Sequence, residues 1–210
     1  MFDFHQPSLD PDGEFDEGRI HHYIEGLMAA FAASAEAQRL PPDRMNWVHP
    51  MLSFGFSYDG VSPADMTRNE FEEVLFELFP RKVSTDADQA ESIIAELQAF
   101  WTFAAREFAA ANAATMLAVL NDGAVERLRT ELSNPANFGM AKSMFMTGSQ
   151  SGFDMNTQEG LAAFTAAYNA SLQTGSKGSP TMRHPTADSL KMKRKEKRKH
   201  RQAKKQNRSR

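Results

Sequence analysis

Apolar residues recur every three or four positions along most of the chain, the spacing that places side chains on one face of an α-helix. The first such stretch carries Ile20, Ile24, Leu27 and Phe31. The sequence predicts that this helix closes at 40–42, because the two prolines there restrict the backbone and remove hydrogen-bond donors. Residues 45–59 are apolar but broken by a proline and a glycine, which favours a short helix between two bends.

A helix start is marked at Thr67, because Glu70 follows it by three residues in the form of a capping box. The apolar stripe behind this start is predicted to end at Pro80. It contains Phe71, Leu75, Leu78 and Phe79.

The most regular spacing lies between residues 94 and 108, where apolar residues recur in steps of three and four: Ile94, Leu97, Trp101, Ala104 and Phe108. Three acidic residues near the start of this helix complement its dipole. They are Asp86, Asp88 and Glu91.

Four shorter helices are predicted after it. The first two carry Met116, Leu117 and Leu120, then Val125, Leu128 and Leu132. The third is rich in methionine and spans 138–147, with Gly148 as its predicted end. The fourth has Asn156 and Glu159 as candidate caps and a stripe formed by Leu161, Phe164, Tyr168 and Leu172.

The chain shows no alternating apolar pattern of the kind that predicts strands, so the sequence predicts an all-α protein. We expect a compact bundle of about seven or eight helices with a disordered basic C-terminal tail. The predicted divisions are an acidic irregular arm at 1–18, a helical domain at 19–174, a linker at 175–190 and a polybasic tail at 191–210.

The amino-acid composition restricts the expected cellular compartment and the kinds of reactive or metal-binding sites. Among 210 residues there is no cysteine, which excludes disulfides, thiolate metal sites and cysteine nucleophiles. The first residues lack the basic and apolar segments of a secretory signal, and no apolar run approaches the length of a membrane span. We expect a cytoplasmic protein without a cofactor, or a nuclear one in a eukaryotic source.

The net charge of −3 conceals a strong segregation of charge. Residues 177–210 hold 14 of the 24 basic residues and two of the 27 acidic residues, for a balance of +12. Residues 1–176 therefore carry −15. A division of this kind is typical of a folded body with an interaction tail.

Three short motifs resemble an uncharacterised group of helical bacterial proteins. They are FELFPRKVS at 76–84, NPANFGMAKSMFM at 134–146 and GFDM at 152–155. The resemblance extends over roughly residues 65–170 and implies a helical fold. It implies no activity and no functional residue.

A metal site is weakly indicated by His21, His22 and Glu25, which lie close together on one predicted helix, with His49 as a further candidate. Adjacent histidines, however, point about 100° apart on a helix, so both are poorly placed to bind one ion. The Glu-x-x-His pairs of di-iron bundles are absent from the sequence. A polar helix surface is therefore the favoured interpretation, and no metal is predicted.

No catalytic residue is predicted elsewhere. The glutamates at 70, 72, 73 and 77 flank an apolar stripe and are expected to be solvated, which does not suit acid–base catalysis. Residues 148–152 lack the Gly-x-Ser-x-Gly pattern, and Lys177 lacks the glycine spacing of a phosphate loop. The sequence thus favours a non-enzymatic protein.

Methionine is concentrated in one region, where its flexible side chain suits adaptable binding surfaces. The same spacing also fits ordinary core packing, which is the more frequent case. If the body binds a protein partner, the candidate residues are Met140, Met144, Met146 and Met155.

The polybasic tail is the strongest functional indication. It holds 12 basic residues and one acid and has no aromatic residue for stacking on bases, so we expect sequence-independent binding to phosphates. RNA, including ribosome-like RNA, is favoured over sequence-specific DNA. The candidate residues are Lys191, Lys193, Arg194, Lys195, Lys197, Arg198, Lys199, Arg201, Lys204, Lys205, Arg208 and Arg210.

Other roles of the tail stay open at this stage. An anionic membrane surface attracts polybasic segments, although no second apolar anchor is visible. The tail also has the charge to bind the acidic body itself, to serve as a nuclear localisation signal, or simply to keep the protein soluble. For the whole chain we expect a helical binding or adaptor protein. The alternatives are a metal-dependent helical-bundle enzyme and a purely structural, oligomerising protein.

Overall fold

The computed structural model describes residues 3–5, 16–42 and 47–173, and the prediction of an all-α fold is confirmed there, with no strand in these ranges. The α-helices are α1 (Glu17–Ala32), α2 (Ala35–Gln38), α3 (Val48–Phe54), α4 (Arg68–Glu73), α5 (Phe79–Lys82), α6 (Ala90–Phe108), α7 (Ala113–Val119), α8 (Asp122–Ser133), α9 (Met140–Gln150) and α10 (Gln158–Gln173). Wider π-helical turns extend α3 over Gly55–Asp59 and join α4 to α5 over Val74–Leu78. Single 3₁₀ turns at Ala87–Gln89 and Pro135–Asn137 precede α6 and α9.

Local caps decide where the first helix starts and ends. The Asp16 carboxylate accepts hydrogen bonds from the backbone N–H groups of Gly18 and Arg19 at 2.9 and 3.2 Å and so begins α1. The predicted end at 40–42 is wrong, because the Ser34 hydroxyl accepts a hydrogen bond from the Ala37 N–H at 3.1 Å. This bond starts the separate helix α2.

The helix that begins at Arg68 passes through Pro80 instead of ending there. Its capping box is confirmed, with Thr67 and Glu70 each bonding to the other's backbone. A proline has no N–H to bond to the carbonyl four residues earlier. Here the preceding turn is widened, and the Phe79 N–H donates to the Val74 carbonyl five residues back. The prediction that Pro80 ends the helix is therefore wrong.

The core is built around α6, which packs against α2, α3, α7 and α8. Its side chains Phe100 and Trp101 are fully buried, and their rings lie edge to face with centroids 5.3 Å apart. Phe71 of α4 meets Trp101 in the same way at 5.7 Å, and Phe31 of α1 meets Phe100 at 5.6 Å. The most regular stripe of the sequence is thus the centre of the bundle.

The described start of the chain also packs on the bundle. Phe4 is buried and stacks on Phe108 with ring centroids 4.9 Å apart. The Tyr23 hydroxyl donates to the Phe4 carbonyl at 2.8 Å. Residues 3–5 are therefore part of the body, and the rest of the predicted acidic arm up to residue 15 lies outside the described residues.

Residues 138–173 form α9 and α10, which we call the C-terminal hairpin. It joins the body where the Gly139 N–H donates to the Arg81 carbonyl at 3.0 Å, beside the contact of α9 with α5. A Cβ atom at residue 139 would lie 2.5 Å from that carbonyl oxygen. Glycine is thus required for the close approach.

Two predictions about the helix ends in this hairpin are wrong. Gly148 lies inside α9, which continues to Gln150. A Cβ atom at residue 148 would collide with the Met155 sulfur, so the glycine serves close packing. The cap of α10 is Thr157 in place of Asn156, since the Thr157 hydroxyl accepts a hydrogen bond from the Gly160 N–H at 3.1 Å.

Candidate functional site

The predicted phosphate-binding residues lie between 191 and 210, outside the described residues, so their assignment stays a prediction. The same holds for the linker from residue 175 to 190. What the structure describes is the acidic body and the C-terminal hairpin from which the chain continues into this basic segment.

Several arginines of the body lie beside carboxylates. Arg68 and Arg127 both contact Glu72, at 2.8 and 3.8 Å, and Arg129 contacts Glu126. Arg127 also places its guanidinium 3.8 Å from the centroid of the Phe76 ring. A nucleic-acid phosphate approaching these arginines would have to displace the carboxylates.

The best-formed ion pair joins α2 to α6. Arg106 donates to both carboxylate oxygens of Glu36, at 2.8 and 3.0 Å, and also contacts Glu107 at 2.9 Å. The hydrogen bonds from Arg106 lower the pKa of Glu36 to about 2. Arg106 is half exposed. We interpret this ion pair as a structural contact that holds α2 against α6.

The weak metal candidates do not come together. His21, His22 and Glu25 are all exposed on α1, and His49 of α3 lies 3.5 Å from the Ser53 hydroxyl. Over the described ranges, no group of three His, Asp or Glu side chains is placed to hold a metal ion.

The methionine region divides into two parts. Met144 and Met146 of α9 are half-buried, whereas Met155 is buried against Gly148 and helps to hold the hairpin together. Met140 is the first residue of α9. Of Met144, Met146 and Met155, the first two thus have the more accessible side chains.

A buried lysine, which the sequence did not single out, lies where α9 meets the body. Lys142 is 2% exposed, and its ammonium group donates to the Thr85 carbonyl at 3.4 Å. The ammonium lies 4.3 Å from the centroid of the Phe138 ring. Burial lowers the pKa of Lys142, and the negative charge of Asp86 partly opposes this shift.

α10 is the described helix that packs least on the rest. Phe164 is its buried anchor and meets the Phe153 ring at 5.5 Å. Leu161 and Tyr168, predicted to line the same stripe, are 44% and 43% exposed. These two are the exposed large hydrophobic residues of the part of the chain that the structure describes.

The chain matches no protein-family model, and neither a curated protein nor a solved structure shows significant similarity to it. The resemblance at 76–84, 134–146 and 152–155 therefore assigns no function. No helix within the described ranges has the length and apolarity needed to cross a membrane.

Proposed function

We propose that the protein is a non-enzymatic helical binding protein whose segment 191–210 attaches it to nucleic acid without reading sequence. The observation that carries the proposal is the segregation of charge, +12 over residues 177–210 against −15 over the rest. Lysine and arginine side chains that contact phosphates release condensed counterions, which provides affinity for any RNA or DNA backbone.

The charges and ion pairs of the folded body support a separate role for the basic segment. Residues 1–176 carry −15, and four of their eight arginines are engaged with carboxylates, so the body is a poor surface for a polyanion. These four are Arg68, Arg106, Arg127 and Arg129. Contact with nucleic acid then falls to the basic segment, and the body is left to bind a protein partner. The accessible parts of Met144 and Met146 are the side chains proposed for that contact.

The test compares the full-length chain with a full-length variant in which the 12 Lys and Arg residues of 191–210 are replaced by glutamine. Binding to a generic RNA and to two unrelated DNA duplexes is measured by fluorescence anisotropy at several salt concentrations. If about 6–10 phosphates are contacted, affinity of the native chain falls on the order of 10³–10⁵-fold between about 50 and about 200 mM salt.

The matched control keeps the charge and changes only neutral side chains of the segment, with Gln202, Gln206, Asn207 and Ser209 replaced by alanine. It should bind as the native chain does, whereas the glutamine variant should lose both the affinity and the salt dependence. Equal binding by the native chain and the glutamine variant would refute the proposal. Native binding to anionic vesicles but not to RNA or DNA would reassign the segment to membranes.

A further inference from the structure

Residues 3–5 lie in a site between α1 and the end of α6. The Phe4 side chain is 1% exposed, and its ring stacks nearly parallel on that of Phe108, the last residue of α6, with centroids 4.9 Å apart. The Tyr23 hydroxyl of α1 donates to the Phe4 carbonyl at 2.8 Å. We call the site formed by Tyr23 and Phe108 the Phe4 pocket.

Each of the three residues makes a different contribution to this contact. The Asp3 carboxylate accepts a hydrogen bond from the His5 N–H at 3.0 Å, which fixes a local turn. Phe4 supplies the buried ring. His5 donates from its Nε2 atom to the Phe108 carbonyl at 3.2 Å. A turn, an aromatic anchor and a side-chain donor are thus all present in three consecutive residues, which is the extent of a short peptide.

The walls of the Phe4 pocket are also held by neighbours other than Phe4. The Tyr23 ring lies edge to face with Phe56, with centroids 5.6 Å apart. The Phe108 ring meets Phe103 of α6 in the same way at 5.3 Å. Residues 3–5 themselves belong to no helix and contact residues 19 and 103 positions away in the chain. We therefore expect the pocket to keep its shape when residues 3–5 leave it.

We propose that the Phe4 pocket is a peptide-binding site that this chain closes with its own residues 3–5. Its external ligand is a segment of another protein with the same chemistry, an aspartate-stabilised turn that carries a phenyl ring and then a side-chain N–H donor. The Tyr23 hydroxyl binds a backbone carbonyl, a group that every peptide offers. Burial raises the pKa of Tyr23, so this hydroxyl stays a donor at neutral pH.

The contact of residues 3–5 is then autoinhibitory. Residues 6–15 connect them to the body, so they compete for the pocket at an effective concentration on the order of millimolar. A partner gains access when its own segment binds more tightly or is more abundant. A second copy of the chain is a poor donor of the segment, because two bodies that each carry −15 repel each other.

The first test uses the full-length variant Phe4→Ala, in which the pocket loses its own anchor. The probe is a fluorescent peptide of residues 1–8, MFDFHQPS, and binding is followed by anisotropy. The variant should bind the peptide, and the native chain should bind it at least about 10-fold more weakly because its own segment competes. Two control peptides of equal composition carry either Phe2→Ala or Phe4→Ala, and only the first should bind.

Thermal unfolding provides a second measurement. Phe4→Ala should lower the Tm, and saturating peptide should restore part of the loss, because a ligand of the folded state stabilises it. The matched control is Phe153→Ala, which removes a ring that packs on Phe164 in the C-terminal hairpin. It should lose stability without any recovery on adding peptide.

The role of the Tyr23 hydroxyl can be measured in the same background. Adding Tyr23→Phe to Phe4→Ala removes one hydrogen bond to the peptide, so its dissociation constant should rise by about 2–10-fold. If Phe4→Ala does not fold, Phe4→Leu keeps an apolar side chain at the position, and the same comparisons are made with that variant.

Several results would overturn the proposal. A folded variant that neither binds the peptide nor recovers Tm would show that residues 3–5 are a fixed part of the core, as would failure of both variants to fold even with saturating peptide. Equal binding of the two control peptides would mean unspecific adsorption. Equal affinity of the native chain and the variant would place the peptide elsewhere. None of these results bears on whether segment 191–210 binds nucleic acid, so the two proposals fail independently.

Discussion

Replacing Lys142 by methionine should stabilise the protein. The lysine is 2% exposed, and its ammonium group has three N–H donors. Among the described residues it makes one hydrogen bond, of 3.4 Å to the Thr85 carbonyl. A buried donor left without an acceptor costs about 1–3 kcal/mol. The Phe138 ring at 4.3 Å returns about 0.5–2 kcal/mol of this. Methionine keeps the length of the apolar stem without the charge.

With the contribution of the ring subtracted, the expected gain in the free energy of unfolding is about 1 kcal/mol near neutral pH. The pH dependence provides a second signature. Burial lowers the pKa of Lys142 below its ordinary value of 10.5, so between the lowered pKa and 10.5 the unfolded chain binds more protons than the folded one. Stability of the native chain should therefore rise with pH across this window, and Lys142→Met should remove that rise.

Urea unfolding followed by far-ultraviolet circular dichroism measures both effects. The measurements should be made below pH 10.0. Burial raises the pKa of Tyr23 above its ordinary value of 10.0, so ionisation of this tyrosine in the unfolded chain lowers stability at higher pH. The control is Lys82→Met, the same change at an exposed lysine, which should lower stability by about 0.5–1 kcal/mol because the Lys82 ammonium group lies 5.3 Å from the centroid of the Tyr58 ring. A loss of stability of about 1 kcal/mol or more in Lys142→Met alone would refute the reasoning and show that the buried charge is a net favourable contact.

Three other substitutions test the bundle itself. The hydrogen bonds of Arg106 lower the pKa of Glu36, so the stabilising contribution of this carboxylate is present above pH 4.5 and is lost as the pH falls towards about 2. Glu36→Gln should therefore reduce the dependence of stability on pH in this range. Urea unfolding at a series of acid pH values measures the slope. Thr67→Ala should cost about 1 kcal/mol through loss of the cap of α4, measured as a shift of the urea midpoint, and an unchanged midpoint would contradict the capping box. Phe71→Ala should lower the free energy of unfolding by about 3–5 kcal/mol, because a fully buried ring in contact with Trp101 is removed. A loss below about 1 kcal/mol, measured by calorimetry, would mean that the surrounding core collapses into the cavity.

Much of the helical architecture was predictable because it depends on local spacing. The stripe from Ile94 to Trp101 shows the helical period in the sequence, and in the structure these side chains are buried at the centre of the bundle. The capping box at Thr67 and Glu70 was equally visible, because a hydroxyl and a carboxylate three residues apart bond to each other's backbone whatever surrounds them.

The wrong predictions concern residues whose roles depend on contacts formed only in the folded chain. Pro80 ended a helix in the prediction, yet the widened turn before it lets the helix continue. Glycine is frequent at helix ends, which predicts an end at Gly148, but its lack of a side chain allows the close packing of Met155. Local preference is a weak guide when a neighbouring element occupies the space.

Taken alone, the sequence determined the helical class, most helix positions and the separation of charge between body and tail, since these follow from periodicity and composition. Only the tertiary structure decided which side chains of each apolar stripe are buried. Phe164 and Tyr168 share the helical spacing of core residues, but Phe164 is buried, with its ring against Phe153 of the loop before α10, and Tyr168 is 43% exposed. The burial of Lys142 was also beyond the sequence, because it arises from the approach of residues 57 positions apart in the chain.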